Sequence, residues 1–254
     1  RQPLPRGAYL PSHKGYTMRK HTGSALARTL LLMRDDLHPS VTEEQLLDAL
    51  TSTVVVLVGD ETNLSSHSAQ CAFVTAAMLM VRSGHQVHIL APDVRLLEKQ
   101  PPLVGDHLVT ALIAASENLV PGVRLSARVP VTIPDLEVRF GDSPPRVGTA
   151  RSIILAASPW AGAIVGAGSR WPRIELPFGG LAAAALASGE AFKVSMMRLF
   201  PYALNPETYK ARFSPCQRAR IDLATTVPRI DERAEADSGQ VAGFAGRDVA
   251  KEMA

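Results

Sequence analysis

The 254-residue sequence predicts an α/β fold, a mostly parallel sheet flanked by helices, on three observations. TVVVLV at 53–58, ended by Gly59, is a β-branched apolar run with almost no polar interruption, as a strand covered on both faces should be. Residues 66–83 form a long apolar helical stretch closed by Gly84, and QVHIL at 86–90 is a second short strand ended by Ala91, Pro92 and Asp93. Such a unit crosses over right-handedly and leaves its two strands parallel. Third, strands and helices keep alternating over the first 160 residues.

In chain order, residues 1–22 carry prolines, glycines and basic residues without periodicity and read as an arm. Residues 24–34 have helical spacing at Leu26, Leu30, Leu31 and Met33. A further helix starts where Ser40 or Thr42 can accept from first-turn amides and Glu43 and Glu44 favour the positive end; its Val41, Leu46, Leu47 and Leu50 suit packing at a sheet edge. After Asp93 comes a broken loop, then a helix over 106–119. Strands are expected at 123–128, 135–140, 152–156 and 163–165, the last in a glycine-rich hairpin bracketed by Trp160 and Trp171. The helix expected at 178–199 is rich in alanine, which implies close backbone approach to another element. From Asn205 the composition turns polar. The expected layout is an N-terminal arm and helix at 1–40, an α/β domain at 41–204 and a polar C-terminal tail or linker at 205–254.

A formal charge of +3 with scattered basic residues gives no nucleic-acid surface, and neither a run of eighteen apolar residues nor a signal-peptide core is present. The expectation is a cytoplasmic protein without nucleic-acid or membrane partners. Cys71 and Cys216 lie far apart without zinc-ligand spacing, so no metal site is expected from them.

In sheets of this kind the loop after the first strand and the acid ending the second face a nucleotide. Phosphate-binding loops use successive glycines so that amides can approach the anion; here Gly59 is followed by Asp60 and Glu61, whose carboxylates repel it. Ser65, Ser66 and Ser68 could supply donors at the helix start or simply cap it. Asp93 could accept from ribose hydroxyls or serve as a turn residue. Asp142, in FGDSPP, could face the same crevice or form an Asx turn before the prolines. Cys216, in SPCQRAR, sits beside two arginines that favour thiolate, whereas Cys71 reads as a small core residue. The histidines show no ligand spacing.

The run ARSIILAASPWAGAIVG through PFGGLAAAALASGEAFK resembles the later half of adenylating domains of the ThiF/MoeB, ubiquitin-activating-enzyme-like superfamily. With 54–93 as the first strand-helix-strand unit and Asp142 in FGD, the resemblance covers about residues 45 to 200. It implies a Rossmann-like, ThiF-like sheet, ATP and Mg as cofactors, Asp93 on ribose, Arg95 and Lys99 on phosphates, and Asp142 near the metal and acyl-adenylate. Gly59, Ser65 and Ser66 would stand in the nucleotide loop. The family's Gly-x-Gly-x-x-Gly is replaced by GDETNLSS, the stretch from 59 to 93 is longer than the family pattern, and the paired-cysteine zinc module is absent. Family members pair as homodimers or pseudo-dimers, some with one inactive half. The leading expectation is therefore a degenerate structural half that pairs with a competent ThiF-like domain in activating a ubiquitin-like or sulfur-carrier protein. Alternatives are an active ATP-dependent adenylyltransferase, with Ser65 and Ser66 replacing glycines, and a Rossmann-like nicotinamide-dependent oxidoreductase or binding module.

Overall fold

The computed structural model describes residues 13–226 apart from 118, 150, 174 and 175. Two helices, α1 (His13–Met33) and α2 (Glu43–Thr51), precede β1 (Val54–Val58), α3 (His67–Arg82), β2 (Gln86–Leu90), α4 (Leu108–Ser116) and β3 (Leu125–Ser126). Then follow β4 (Leu136–Phe140), β5 (Ser152–Ala157), β6 (Ala161–Val165), α5 (Phe178–Met197), α6 (Pro206–Phe213) and β7 (Ala219–Asp222). A short helix, α7 (Leu223–Thr226), belongs to a second unit that begins at Leu223.

The sheet order is β3-β2-β1-β4-β5-β6-β7, parallel from β3 to β5 and antiparallel at β6 and β7. The chain builds outward from β1 to β2 and β3, then returns to the other side of β1 for β4. That reversal opens a crevice between the C-terminal ends of β1 and β4, the place where open α/β sheets bind ligands.

Side-chain alternation assigns the two faces. The Phe73 ring of α3 lies 4.8 Å from that of Phe140, so Leu136, Val138 and Phe140 face α3 while Glu137 and Arg139 point the other way. α5 packs beside α3 on the same face. Its alanines do what their size suggests: a Cβ on Gly162 of β6 would overlap the backbone of Ala183 and Gly179, so helix and strand touch almost backbone to backbone. Ser66 caps α3 by accepting from the Ala69 amide. Gly84 closes the connection at φ 93, where a side chain would also meet Leu26 of α1. Thr42 and Gln45 form a reciprocal capping box on α2.

The strand at 86–90 has the expected bounds. The strand expected over 123–128 shrinks to Leu125–Ser126, because only these two residues pair with β2. The expected arm lies partly outside the described residues, at 1–12; from His13 it is already helix. Residues 205–222, whose polar composition suggests a tail, instead form α6 and the edge strand β7; Tyr209 of α6 is buried and donates its hydroxyl to the Met196 carbonyl at 2.6 Å. The tail expected beyond 226 lies outside the described residues. No described helix is long and apolar enough to cross a membrane.

Candidate functional site

The crevice between β1 and β4 is occupied by the protein's own hydrogen bonds. Asn63, in the loop after β1, is 1% exposed. Its Nδ2 donates to Asp60 Oδ2 at 2.9 Å, Asp142 Oδ1 at 2.8 Å and Ser143 Oγ at 3.2 Å. Its Oδ1 accepts the Trp171 amide at 2.6 Å. Asp60 turns back on the loop to accept the Asn63 amide at 2.7 Å, and Ser143 donates to Asp60 Oδ2 at 3.1 Å or to the Phe140 carbonyl at 2.6 Å. The loops following β1, β4 and β6 are thus tied through one asparagine. Gly141, at φ 65, permits this: a Cβ there would overlap Asn63 Oδ1.

The glycine and serines of the expected nucleotide loop are engaged within the protein. Gly59 has an ordinary backbone, and its missing side chain makes room for Leu64 and Phe73 rather than for an anion. Ser65 is exposed and donates to the Thr62 carbonyl at 2.7 Å; Ser66 is buried as the α3 cap. Gln70 seals the same end of α3, donating to the carbonyls of Leu64 and Arg95 at 3.2 and 2.9 Å and accepting the Leu97 amide at 3.0 Å. Among the described residues no group of three or more His, Cys, Asp or Glu could hold a metal ion.

The other expected residues disperse. Asp93 caps α4, accepting from the Val109 and Thr110 amides at 2.7 and 3.3 Å and from the Thr110 hydroxyl. Partial burial pushes its carboxyl up, but these hydrogen bonds and nearby His107 more than offset that and hold it below its usual value. Arg95 and Lys99 are exposed on the loop between β2 and α4. Asp142 reaches the crevice as an acceptor for Asn63. Cys216 lies elsewhere: its Sγ is 3.3 Å from Lys193 Nζ of α5 and its amide donates to Glu190 Oε2 at 2.7 Å. Burial pulls Lys193 down, yet Glu190 and Cys216 outweigh it and raise the ammonium. The arginines beside Cys216 in sequence are therefore not the cation nearest its sulfur.

Sequence reasoning did not single out Asn63, Ser143 or the pairing of Cys71 with His67, whose Sγ and Nε2 are 3.3 Å apart one turn along α3. That spacing of four residues was the available signal. Burial and the charge of Glu98 push the Cys71 thiol up, so the pair is not an activated thiolate. Next to the crevice lies an open depression of about 390 Å³ lined by Arg170, Trp171, Pro172 and Arg173.

A family model described as the BilD N-terminal domain matches residues 53–208. A search of curated proteins finds no match. Among solved structures, E. coli MccB with succinimide is similar at 10% identity, with 84% of this chain and 76% of that chain covered and a TM-score of 0.50. E. coli MccB with selenomethionyl MccA is similar at 12% identity, 85% and 77% coverage and a TM-score of 0.49. The first likeness shows a shared fold, that of the ThiF/MoeB-like adenylating enzymes.

Proposed function

Since the chain belongs to the family of BilD N-terminal domains, we propose that it works as the non-catalytic half of an adenylation-type assembly, pairing with a competent ThiF-like domain that activates a ubiquitin-like or sulfur-carrier protein. The observation that carries this reading is the Asn63 cluster. Hydrogen bonds between Asn63 and Asp60, Asp142, Ser143 and Trp171 converge where amides would have to meet a pyrophosphate. A nucleotide would have to displace them and stand against two carboxylates. The fold is retained while the phosphate grip is not, as expected of a scaffold partner. Isothermal titration of the whole chain with Mg-ATP tests this: no saturable heat is expected, and micromolar binding at this crevice overturns it.

One observation favours a second reading, an active adenylyltransferase. Arg170 and Arg173 line the depression beside Trp171 and could meet phosphates from outside the cluster. ATP–pyrophosphate exchange with a peptide ending in Gly-Gly as acceptor would favour this reading over the first; its absence with every candidate carrier counts against it.

A further inference from the structure

A second concavity lies where β5 begins and β6 ends. It has a volume of about 370 Å³, within the range of small-molecule sites, and its lining includes Arg139, Arg151, Ser152, Gly166, Cys216 and Gln217. Register explains why a polar pocket opens on a strand surface. Arg139 stands opposite Ile154, and Glu137 opposite Ser152, so β4 and β5 present a carboxylate, a guanidinium and a hydroxyl on the face opposite Phe140.

The charges there do not balance. Glu137 is fully buried, and its carboxylate already accepts the Arg146 and Val147 amides, both at 3.0 Å, and the Ser152 hydroxyl at 3.2 Å. Arg139 Nε is 3.9 Å from that carboxylate, and this buried nitrogen has no hydrogen-bond partner among the described residues. A single 3.3 Å bond from Nη1 to the Ser143 carbonyl is what Arg139 makes instead. Arg151 is half-buried, and burial lowers the pKa of its guanidinium while Glu190 acts in the opposite sense. The carboxylate of Glu190 is itself engaged by Lys193 Nζ at 2.7 Å and by the Cys216 amide. Arg218 approaches the same rim, its guanidinium passing over Gly166. A buried guanidinium donor without an acceptor costs free energy that an entering oxyanion would recover.

We propose that this cavity binds a compact oxyanion, a phosphate or a carboxylate group, held by Arg139 and Arg151. The planar guanidinium fork matches the two oxygens of either group. Cys216 lies in the same wall and reports on occupancy, since an anion seated there blocks reagents from its thiol.

The test titrates the whole chain at low ionic strength with inorganic phosphate and, separately, with acetate, using chloride as the screening control. Saturable heat with either anion, beyond chloride, is expected, and the arm that responds says which oxyanion is preferred. Arg151→Gln should weaken binding by about tenfold, in keeping with the loss of a charge-assisted pair. Arg139→Gln should do the same if it folds; Arg151→Gln keeps the test decisive if it does not. In parallel, the preferred anion should slow iodoacetamide alkylation of Cys216, located by peptide mass spectrometry, and leave Cys71 unaffected. Heat no greater than with chloride, binding retained in Arg151→Gln, or an unchanged Cys216 rate overturns the proposal. It stands apart from the fate of the nucleotide crevice: ATP heat lost in Arg151→Gln belongs to this cavity, and ATP heat that survives belongs near β1.

Discussion

Replacing Asn63 with alanine should unfasten the three loops that close the crevice. The substitution removes the donor shared by Asp60, Asp142 and Ser143 and leaves the buried Trp171 amide without its 2.6 Å acceptor. Asp142 is exposed and can recover its bond from water, so it contributes little to the loss. An orphaned buried amide costs about 1–3 kcal/mol and a lost bond to a partly buried carboxylate about 1.5 kcal/mol or more, so Asn63→Ala should destabilise by about 3 kcal/mol. In a domain of this size that lowers Tm by roughly 6–12 °C. Asn63→Asp has the same shape but points a third carboxylate at Asp60 and Asp142, and should be worse than alanine at pH 7. Crowding raises the folded-state pKa of the cluster, so that penalty is small in acid and grows as pH rises past the ordinary carboxylate value of about 4. Urea unfolding of the three proteins from pH 4 to 8 measures both effects. A loss below about 1 kcal/mol for Asn63→Ala, or an Asn63→Asp protein as stable as Asn63→Ala at pH 7, would refute the claim that this asparagine holds the crevice shut.

Two other substitutions probe the frame around it. His85 is fully buried, with Nδ1 3.3 Å from the Leu50 carbonyl and Nε2 unpartnered among the described residues; burial, against smaller opposing effects of Leu50 and Asp135, pushes its pKa down to about 4. The unfolded chain therefore holds the proton more tightly between about pH 4 and 6.5, stability falls through that window as pH drops, and the drop is about 3 kcal/mol from this group. His85→Gln should flatten that part of the urea-midpoint profile, and parallel profiles for the two proteins would disprove the assignment. Asp93→Ala should cost about 1 kcal/mol through loss of the α4 cap, visible as a small shift in thermal midpoint; an unchanged midpoint would mean the cap bonds contribute nothing.

The first strand-helix-strand unit was legible because its signals are local. A β-branched run, an eighteen-residue apolar helical stretch and Gly84 each constrain backbone within a few residues of themselves, and β2 has the expected bounds. β3 misled because β propensity at 123–128 says nothing about how far β2 runs beside it, and two residues of pairing are all that β2 offers. Residues 205–222 looked like a tail because an edge strand and a helix with one buried side need few apolar residues. α6 buries Tyr209 and Phe213, and β7 pairs only with β6. Polarity there reports position at a margin rather than exclusion from the fold.

At the crevice, the missing glycine motif was legible and the asparagine cluster was not. Missing glycines after β1 are visible in the residues 59–66 themselves, and they weaken any phosphate site whatever the rest of the chain does. What fills the space depends on partners far along the chain, at Asp142, Ser143 and Trp171, that converge only once β4 and β6 are in place. Within GDETNLSS, Asn63 has the appearance of an ordinary turn residue, since asparagine is common in turns. The distinguishing fact is that its side chain lies in the interior with both amide ends engaged, and an amide is buried at tolerable cost only when partners meet it from several sides. The same geometry alters the meaning of Asp142. An acid after the fourth strand suggested a role toward a nucleotide, yet its carboxylate is drawn to Asn63, and Gly141 must take up φ 65 to leave room for that contact. A glycine just before the acid was the trace such a closure leaves in the sequence, readable only once the residue that needs the room is known.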